Sequence, residues 1–405
     1  MVPPGKPSTA PGARRGDVRA DVVVLGGGVT GAACAWRLAQ RGSRVVLVDP
    51  DETAGASRAA AGMLAPVSEL HHGEEDLLAL CLRAAGGFAG YAAEVAAASG
   101  LGTGYRASGT LAVALDAGDR ARLARVREVQ QALGLEVEAL TGRQCRRAEP
   151  FLDPAVCGGS LVRGDHQVDP RRLLAGLLTA AERAGVRRVR ARGEVVVRDG
   201  RAAGVRLPDG SRDGDLPVDR PADLPADVVV LATGARAQRH VPVRPVKGQV
   251  ARLRMPAGEH VLQRTVRGLV RDREVYLVPR EDGELVVGAT TEERGFDERV
   301  TAGAVHDLLR DAQALVPAVA ELELVEVLAR CRPGSPDNLP LIGFGGVPGL
   351  VLATGQYRNG VLLSGVTADA VAALVHGGDV VPEVAACDPG RFGSPRAARE
   401  EVLVP

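Results

Sequence analysis

The strongest constraint on this chain is a 29-residue stretch near its start, DVVVLGGGVTGAACAWRLAQRGSRVVLVD, residues 21–49. An aliphatic run from Val22 to Leu25 ends at Gly26-Gly27-Gly28. A helical pattern follows, with Ala32, Ala33, Trp36, Leu38 and Ala39 available for packing, and a second apolar run, Val45 to Val48, stops on Asp49. Strand, glycine turn, helix and strand in that order, with Gly26-x-Gly28-x-x-Gly31 at the turn and an acid 18 residues beyond Gly31, form the dinucleotide-binding pattern. The glycines allow a sharp turn, close approach of backbone to a pyrophosphate and tight helix–strand packing. The helix N-terminus presents N–H groups and partial positive charge to the phosphates. Asp49 stands where a carboxylate accepts hydrogen bonds from a ribose.

Length and composition narrow the alternatives. At 405 residues, two domains are the natural expectation. Hydrophobic content of 45% with 25% charged residues describes a soluble globular chain. Lysine plus arginine equals aspartate plus glutamate at 50 each, so the charge balance points to neither nucleic acid nor a membrane surface. Aromatics at 2% leave few platforms for stacking bases. Cysteines 34, 81, 145, 157, 331 and 387 are scattered without a C-x-x-C pair, which argues against a disulfide framework or zinc site and for a reducing, cytoplasmic setting. The seven histidines show no metal-binding spacing, and His71-His72 before Glu74, Glu75 and Asp76 reads as a solvated cluster. No metal is expected. Residues 1–19, rich in Pro, Gly and Arg, read as a disordered tail, and no apolar run reaches the ~18 residues of a membrane span.

Along the chain, a small-residue loop spans 52–66, and a helix is expected over 74–99 with Leu77, Leu78, Leu80, Cys81 and Leu82 buried. A strand at 105–115, a charged helix at 119–133 and an extended piece at 135–140 follow. DPRRLLAGLLTAAERAG, residues 169–185, is a helix with Asp169 as N-cap and Pro170 in its first turn. Residues 186–207 read as strands turning at Asp199-Gly200, and 208–226 as a surface loop before the buried strand 228–234. Alternation from 243 to 289 predicts an antiparallel sheet with a turn at Asp282-Gly283. A helix near 302–315, a strand at 350–354 and a last helix near 366–376 complete the chain. The order predicts an α/β protein: a Rossmann-like dinucleotide-binding domain, discontinuous in sequence (20–90, 150–240 and 326–396), with an inserted antiparallel-sheet substrate domain (91–149 and 241–325).

A single dinucleotide fingerprint with no second one for a nicotinamide suggests that electrons come from the substrate and that the bound dinucleotide is FAD. Seven blocks stand out: GGGVTG at 26–31, AGASRAAAGMLAP at 54–66, PVKGQV at 245–250, YLVPR at 276–280, GELVVGATTE at 283–292, RPGSPDNLPLIG at 332–343 and ATGQYRNGVLL at 353–363. By these blocks the chain resembles the glycine oxidases of the D-amino acid oxidase family, flavoenzymes that feed thiazole synthesis in thiamine production.

The resemblance implies noncovalent FAD, with Gly26, Gly28, Val29, Thr30 and Gly31 at the pyrophosphate and Asp49 with Pro50 at the ribose. It places Ala56, Ser57, Ala61, Gly62 and Met63 along the flavin, Val195 at the adenine through its backbone, and Gly234 among the cofactor contacts. Gly355 and the turn Gln356, Tyr357, Arg358, Asn359, Gly360, Val361 and Leu362 would wrap the flavin pyrimidine. Tyr276, Arg332 and Arg358 are implied to hold the substrate carboxylate. The residue chemistry agrees: a guanidinium grips a carboxylate bidentately and a phenol adds a neutral donor. Tyr276 on a strand is alternatively plain core, whereas Arg332 and Arg358 sit in irregular backbone, where function concentrates. The sequence departs from the family at Gln356, commonly His, and at Thr291, where some relatives carry Met. Cys331 lies near the place where related sarcosine oxidases attach FAD, but one residue off register.

The implied reaction is oxidative deamination of glycine, sarcosine or small D-amino acids by hydride transfer to flavin. It gives an imine or glyoxylate, ammonia and hydrogen peroxide, with oxygen as second substrate, and the imine could be handed to thiazole synthase. A homo-oligomer, a tetramer, is implied as well. The rivals left open are a sarcosine or D-amino acid oxidase, a dehydrogenase passing electrons to a carrier, and an FAD-bound assembly protein without chemistry.

Overall fold

In the computed structural model the described residues are 19–393, apart from 52–53, 209–211, 214–215, 218–221, 240, 257 and 271–272. The tail before Arg19 and part of the 208–226 stretch therefore lie outside them. Strand β1 (Ala20–Leu25), helix α1 (Val29–Gln40) and strand β2 (Val45–Val48) form the expected unit. β1 pairs in parallel with β2, Val22 opposite Val45, and on its other side in parallel with the strand Ala222–Leu231, Val22 opposite Val228. These strands are buried on both faces, which is why they read as unbroken Val/Leu runs.

Around this centre is a ten-stranded sheet that includes Arg187–Arg190, Glu194–Arg198, Arg201–Leu207, Leu341–Phe344 and Leu350–Thr354. Helix α1 is buried along nearly its whole length, Trp36 included, between this sheet and the helices Pro170–Arg183 and Ser364–His376. The helix Pro170–Arg183 starts as expected: the Asp169 carboxylate accepts the N–H groups of Arg171 and Arg172 at 2.8 and 3.3 Å, with Pro170 in the first turn.

A second, eight-stranded sheet runs in the order Glu323–Gly334, Arg244–Arg254, Glu284–Gly288, Arg273–Pro279, Thr265–Val270, Thr110–Ala114, Gly158–Val162 and Glu138–Thr141. Its pairings are antiparallel except one. Thr265–Val270 lies parallel to Thr110–Ala114, so the sheet is mixed where a purely antiparallel one was expected. Gly158–Val162 belongs to this sheet although it falls within 150–240, and Glu323–Gly334 straddles the expected boundary at 325/326.

Other local expectations are corrected. The 208–226 stretch is not all loop: short strands Arg212–Asp213 and Leu216–Pro217 pair with each other, and Ala222 begins the long central strand. That strand's first part, ADLP, pairs antiparallel with Arg201–Leu207 before its second part enters the parallel core. The 52–66 stretch contains a helical turn, Ala56–Ala59, and the strand Met63–Leu64. The strand expected at 105–115 is confined to Thr110–Ala114, and Leu82 points outward, 37% exposed. No helix among the described residues is long and apolar enough to cross a membrane.

One buried carboxylate ties the segment after Leu64 to the second sheet. Asp165 is fully buried and accepts the N–H groups of Val67 and Ser68 at 3.2 and 2.6 Å, while its carbonyl accepts the Thr110 hydroxyl at 3.2 Å. Burial pushes the carboxyl up to about 6 against the pull of these donors. Asp165→Ala would leave the buried Val67 N–H and the half-buried Ser68 N–H without their partner. A loss of about 2–3 kcal/mol of unfolding free energy at neutral pH is expected by chemical denaturation, and an unchanged midpoint would refute the tether.

Candidate functional site

A cavity of about 1090 Å³ opens between the two sheets. Its size is at the top of the roughly 300–1,000 Å³ range of pockets for drug-sized ligands. One end is the glycine turn after β1. Gly26 has φ +100°, and a Cβ there would lie 2.3 Å from the Ala232 carbonyl oxygen; one on Gly31 would lie 1.8 Å from the Gly26 oxygen. Gly31 itself is therefore behind the cavity wall, while Gly26, Gly28, Val29 and Thr30 line it. Helix α1 starts at Gly28 with no side-chain cap, and the Val29 N–H donates to Ser57 Oγ at 3.1 Å. Asp49 and Pro50 line the same end. The Asp49 carboxylate accepts the Gly27 and Asp51 N–H groups at 2.6 and 2.8 Å, so the acid is held in place by the turn it serves.

The long wall is the small-residue segment, with Ala56, Ser57, Ala61, Gly62 and Met63 on the cavity. Gly62, φ +72°, is pressed against the Val168 carbonyl, where a Cβ would be 2.1 Å away. The wall's carbonyls are taken by arginines. Arg171 Nε and Arg252 Nη2 donate to Arg58 O at 3.1 and 3.3 Å, and Arg280 donates to Ala61 O and, at 3.0 Å each, to Gln167 Oε1 and Val168 O. Burial pulls the Arg280 guanidinium down to about 10. Gly234 lines the cavity beyond Ala232, whereas Val195 sits in the core of its strand; the wall there is Ala191, Arg192 and Gly193.

At the other end, the turn after the strand Leu350–Thr354 carries Gln356, Tyr357, Arg358, Gly360 and Val361 onto the cavity; Gly355, Asn359 and Leu362 lie behind it. Gly355 and Tyr357 have φ +79° and +46°, and the Tyr357 N–H donates to the Pro333 carbonyl at 2.9 Å. That bond fastens the turn to the segment carrying Arg332. Arg332 lies not in the irregular backbone expected for it but on the strand Glu323–Gly334, opposite Val246; its guanidinium lies flat over Gly248, where a Cβ would be 2.4 Å from Nη1, and Nη1 donates to the Thr290 carbonyl at 3.1 Å. Tyr276 lies in the same way over Gly288, with a Cβ there 2.4 Å from its hydroxyl, and it hydrogen-bonds Arg332. Burial raises the Tyr276 pKa and Arg332 opposes the rise, so the phenol stays protonated as a donor at neutral pH.

The two arginines differ. Among the described residues no carboxylate pairs with Arg332. Arg358 by contrast donates Nη1 to His71 Nε2 at 2.5 Å and Nη2 to Glu74 Oε2 at 3.1 Å. His71 is therefore not part of a solvated cluster: burial and Arg358 lower its pKa. Arg267 also lines the cavity, bonded to Glu69 at 2.7 Å and Glu274 at 3.4 Å. Burial pulls its guanidinium down, but the two carboxylates prevail and hold it above its ordinary value. Sequence reasoning did not single out His71, Glu69, Arg267 or Glu274 as cavity residues, and no local motif marks them. Cys331 is buried, its thiol 3.5 Å from the Gly295 carbonyl and pushed up to about 11 by burial, so it is a neutral thiol at physiological pH. No three His, Cys, Asp or Glu side chains converge as a metal site among the described residues.

These features suit a flavin dinucleotide. A glycine cradle at a helix start faces one end, and at the other the buried Gln356 Nε2 has no partner within the described protein, a donor placed on the cavity wall. The family model of FAD dependent oxidoreductases, DAO, matches residues 21–374, and the chain belongs to that family. It is 34% identical to the bifunctional protein ThiO/ThiG of Synechocystis sp. over 92% of this chain and 54% of that protein. The chain thus spans about half the length of the bifunctional relatives it matches. It is 33% identical to the glycine oxidase of Geobacillus kaustophilus over 88% of this chain and 93% of that one. The crystal structure of glycine oxidase from the same organism superposes with a TM-score of 0.81, covering 92% of this chain and 99% of that one. A hydrogen cyanide synthase subunit, HcnC, of Pseudomonas aeruginosa is 30% identical, covering 88% of this chain and 92% of that one.

The cradle is testable through the flavin colour. Gly31→Ala sets a methyl group against an immovable backbone oxygen and is expected to give protein that purifies without bound FAD. Gly86→Ala, in a helix with open space around it, should keep the colour. Equal flavin absorbance per protein in the two variants, with matching circular dichroism, would disprove the role of Gly31.

Proposed function

We propose that this enzyme oxidises the α-amine of glycine or a similarly small amino acid, with oxygen as the electron acceptor. The observation that carries the reading is the pair Arg332 and Tyr276 on the cavity wall, a partly buried guanidinium with no carboxylate partner among the described residues beside a protonated phenol. A partly desolvated cation gains from an anionic partner, and the substrate carboxylate would supply one. Bidentate N–H donors and one O–H match a carboxylate. FAD, when bound, supplies the two-electron acceptor that neither the residues nor an amino acid can provide. What the chain contributes is placement: Arg332 and Tyr276 fix one end of a small zwitterion, and the wall of Ala and Gly residues leaves room for a broad flat group beside it. The product imine hydrolyses to glyoxylate and ammonia, oxygen leaves as hydrogen peroxide, and no protein general base is required.

Noncovalent attachment of FAD is part of this reading, supported by the protonated, carbonyl-bonded Cys331. Delivery of the imine to thiazole synthesis is supported by the ThiO/ThiG relatives, in which two activities share one chain. A homo-oligomer, a tetramer, comes with the family resemblance. A second reading, a preference for sarcosine or a small D-amino acid, is favoured by Thr291, a modest side chain on the cavity wall where some relatives carry Met.

Anaerobic mixing of the yellow protein with glycine, sarcosine and D-alanine tests both readings. Bleaching by glycine, with recovery and peroxide on admitting air, is the expected result; bleaching by none removes the assignment. Arg332→Ala should keep its colour and lose kcat/KM by about a hundredfold or more, as when one partner of a buried charge pair is removed. Unchanged kinetics in that variant would remove Arg332 from the substrate site.

A further inference from the structure

His71 lies in the turn between the strand Met63–Leu64 and the helix Glu75–Ser99, far in sequence from the residues that grip the substrate. Its Nε2 is 2.5 Å from Arg358 Nη1. A guanidinium has only donors and does not lose its proton, so the imidazole nitrogen facing it must present a lone pair. That requirement assigns the ring: neutral, with its proton on Nδ1. The second branch of Arg358 donates to Glu74 Oε2 at 3.1 Å, and Glu74 is itself held by Asn338 Nδ2 at 2.7 Å. Arg358 Nε is buried with no partner among the described residues. The guanidinium also stacks on Tyr357, 5.0 Å from its ring centre, on the turn that the Pro333 carbonyl fastens beside Arg332.

We propose that His71 is a positioning residue for Arg358. As a neutral acceptor it holds the guanidinium in the orientation that serves a substrate carboxylate, and on protonation it drives the guanidinium out of that orientation. The inference rests on the carboxylate-binding reading of the cavity. A protonated ring would set two cations at hydrogen-bond distance with neither able to accept; of the carboxylates nearby, Glu74 is the one bonded to Arg358, while Glu69 and Glu274 pair with Arg267. The groups facing His71 are Arg358 from the turn after Thr354, Glu74 and Glu69 from its own segment, and Glu274 from the strand Arg273–Pro279. Burial and Arg358 lower its pKa below 6.5 and prevail over the three carboxylates, so the neutral ring is the form present at neutral pH. Affinity for a carboxylate substrate should therefore be full at neutral pH and fall as pH drops through this lowered midpoint.

The test compares the wild-type holoenzyme with His71→Gln, which keeps an acceptor that does not titrate, and His71→Leu, which has none. KM for glycine is followed between about pH 5 and 8. In the wild type it should rise on the acid side by up to about tenfold per pH unit below the midpoint. His71→Gln should lack that acid limb and bind more tightly than His71→Leu, whose KM is expected about tenfold higher at every pH. These effects should fall on KM more than on kcat. Two readings do not depend on turnover: nitrogen-15 spectra of the histidine ring, expected to show the Nδ1–H tautomer, and acetate binding followed by the flavin absorbance. An acid limb that persists in His71→Gln, a His71 ring protonated at Nε2, or a KM that falls on acidification would overturn the proposal. If no amine is turned over but acetate binding shows the limb in the wild type alone, the oxidase reading fails and this one stands.

Discussion

The cavity depends on arginines that donate to backbone carbonyls. Residues 58–62 run from the end of a single helical turn, Ala56–Ala59, into irregular backbone, and among the described residues no strand pairs with their carbonyl oxygens. Arg171 comes from a helix on the side of the first sheet, Arg252 from a strand of the second sheet and Arg280 from the residue just after another, and together they satisfy Arg58 O and Ala61 O. Burying guanidinium groups is costly, and the cost is offset locally by Glu284 and Glu326, which pair with Arg252 and Arg171. Because the donors come from a helix on the side of the first sheet and from the second sheet, the same bonds that shape the wall also hold the two sides of the cavity together. The small residues of the wall then bring backbone close to whatever occupies the space.

What could be read in the sequence was what local physics determines. β1, α1 and β2 were legible because period, glycine spacing and the closing acid all agree, and the helix at Pro170 because its cap and first-turn proline lie next to each other in the chain. The turns at Asp199-Gly200 and Asp282-Gly283 were legible for the same reason; Asp199, Gly200 and Gly283 all adopt positive φ. The long strand from Ala222 was hidden because its first residues, ADLP, have turn chemistry and are extended only through pairing with Arg201–Leu207. The parallel contact between Thr110–Ala114 and Thr265–Val270 joins segments about 150 residues apart, beyond any window of periodicity.

The site divides in the same way. Tyr276, Arg332 and Arg358 were singled out only through resemblance, and what the structure shows is that all three line the cavity. Their surroundings then distinguish them. Arg332 lies over a glycine with backbone and phenol as partners, and Arg358 is engaged by an imidazole and a carboxylate whose positions in the chain are 287 and 284 residues away. His71 could not be recognised in the sequence because its chemistry is defined by the residue it faces. Burial and that partner, not the neighbouring acids at 74–76, set its charge state.

The two glycines beneath Arg332 and Tyr276, the proposed anion grip, are Gly248 and Gly288 on adjacent strands, and a guanidinium and a phenol fill the room a side chain would take there. The grip is thus seated on the sheet floor, while Thr291 and its neighbours on the 289–301 segment form the rim. Floor and rim are separable parts. On the proposed reading, replacement of rim residues would alter which amine is admitted while the floor kept its hold on the carboxylate. A lineage built on this floor could diversify in substrate by changing loop residues alone, with the two glycines and the residues lying on them held constant.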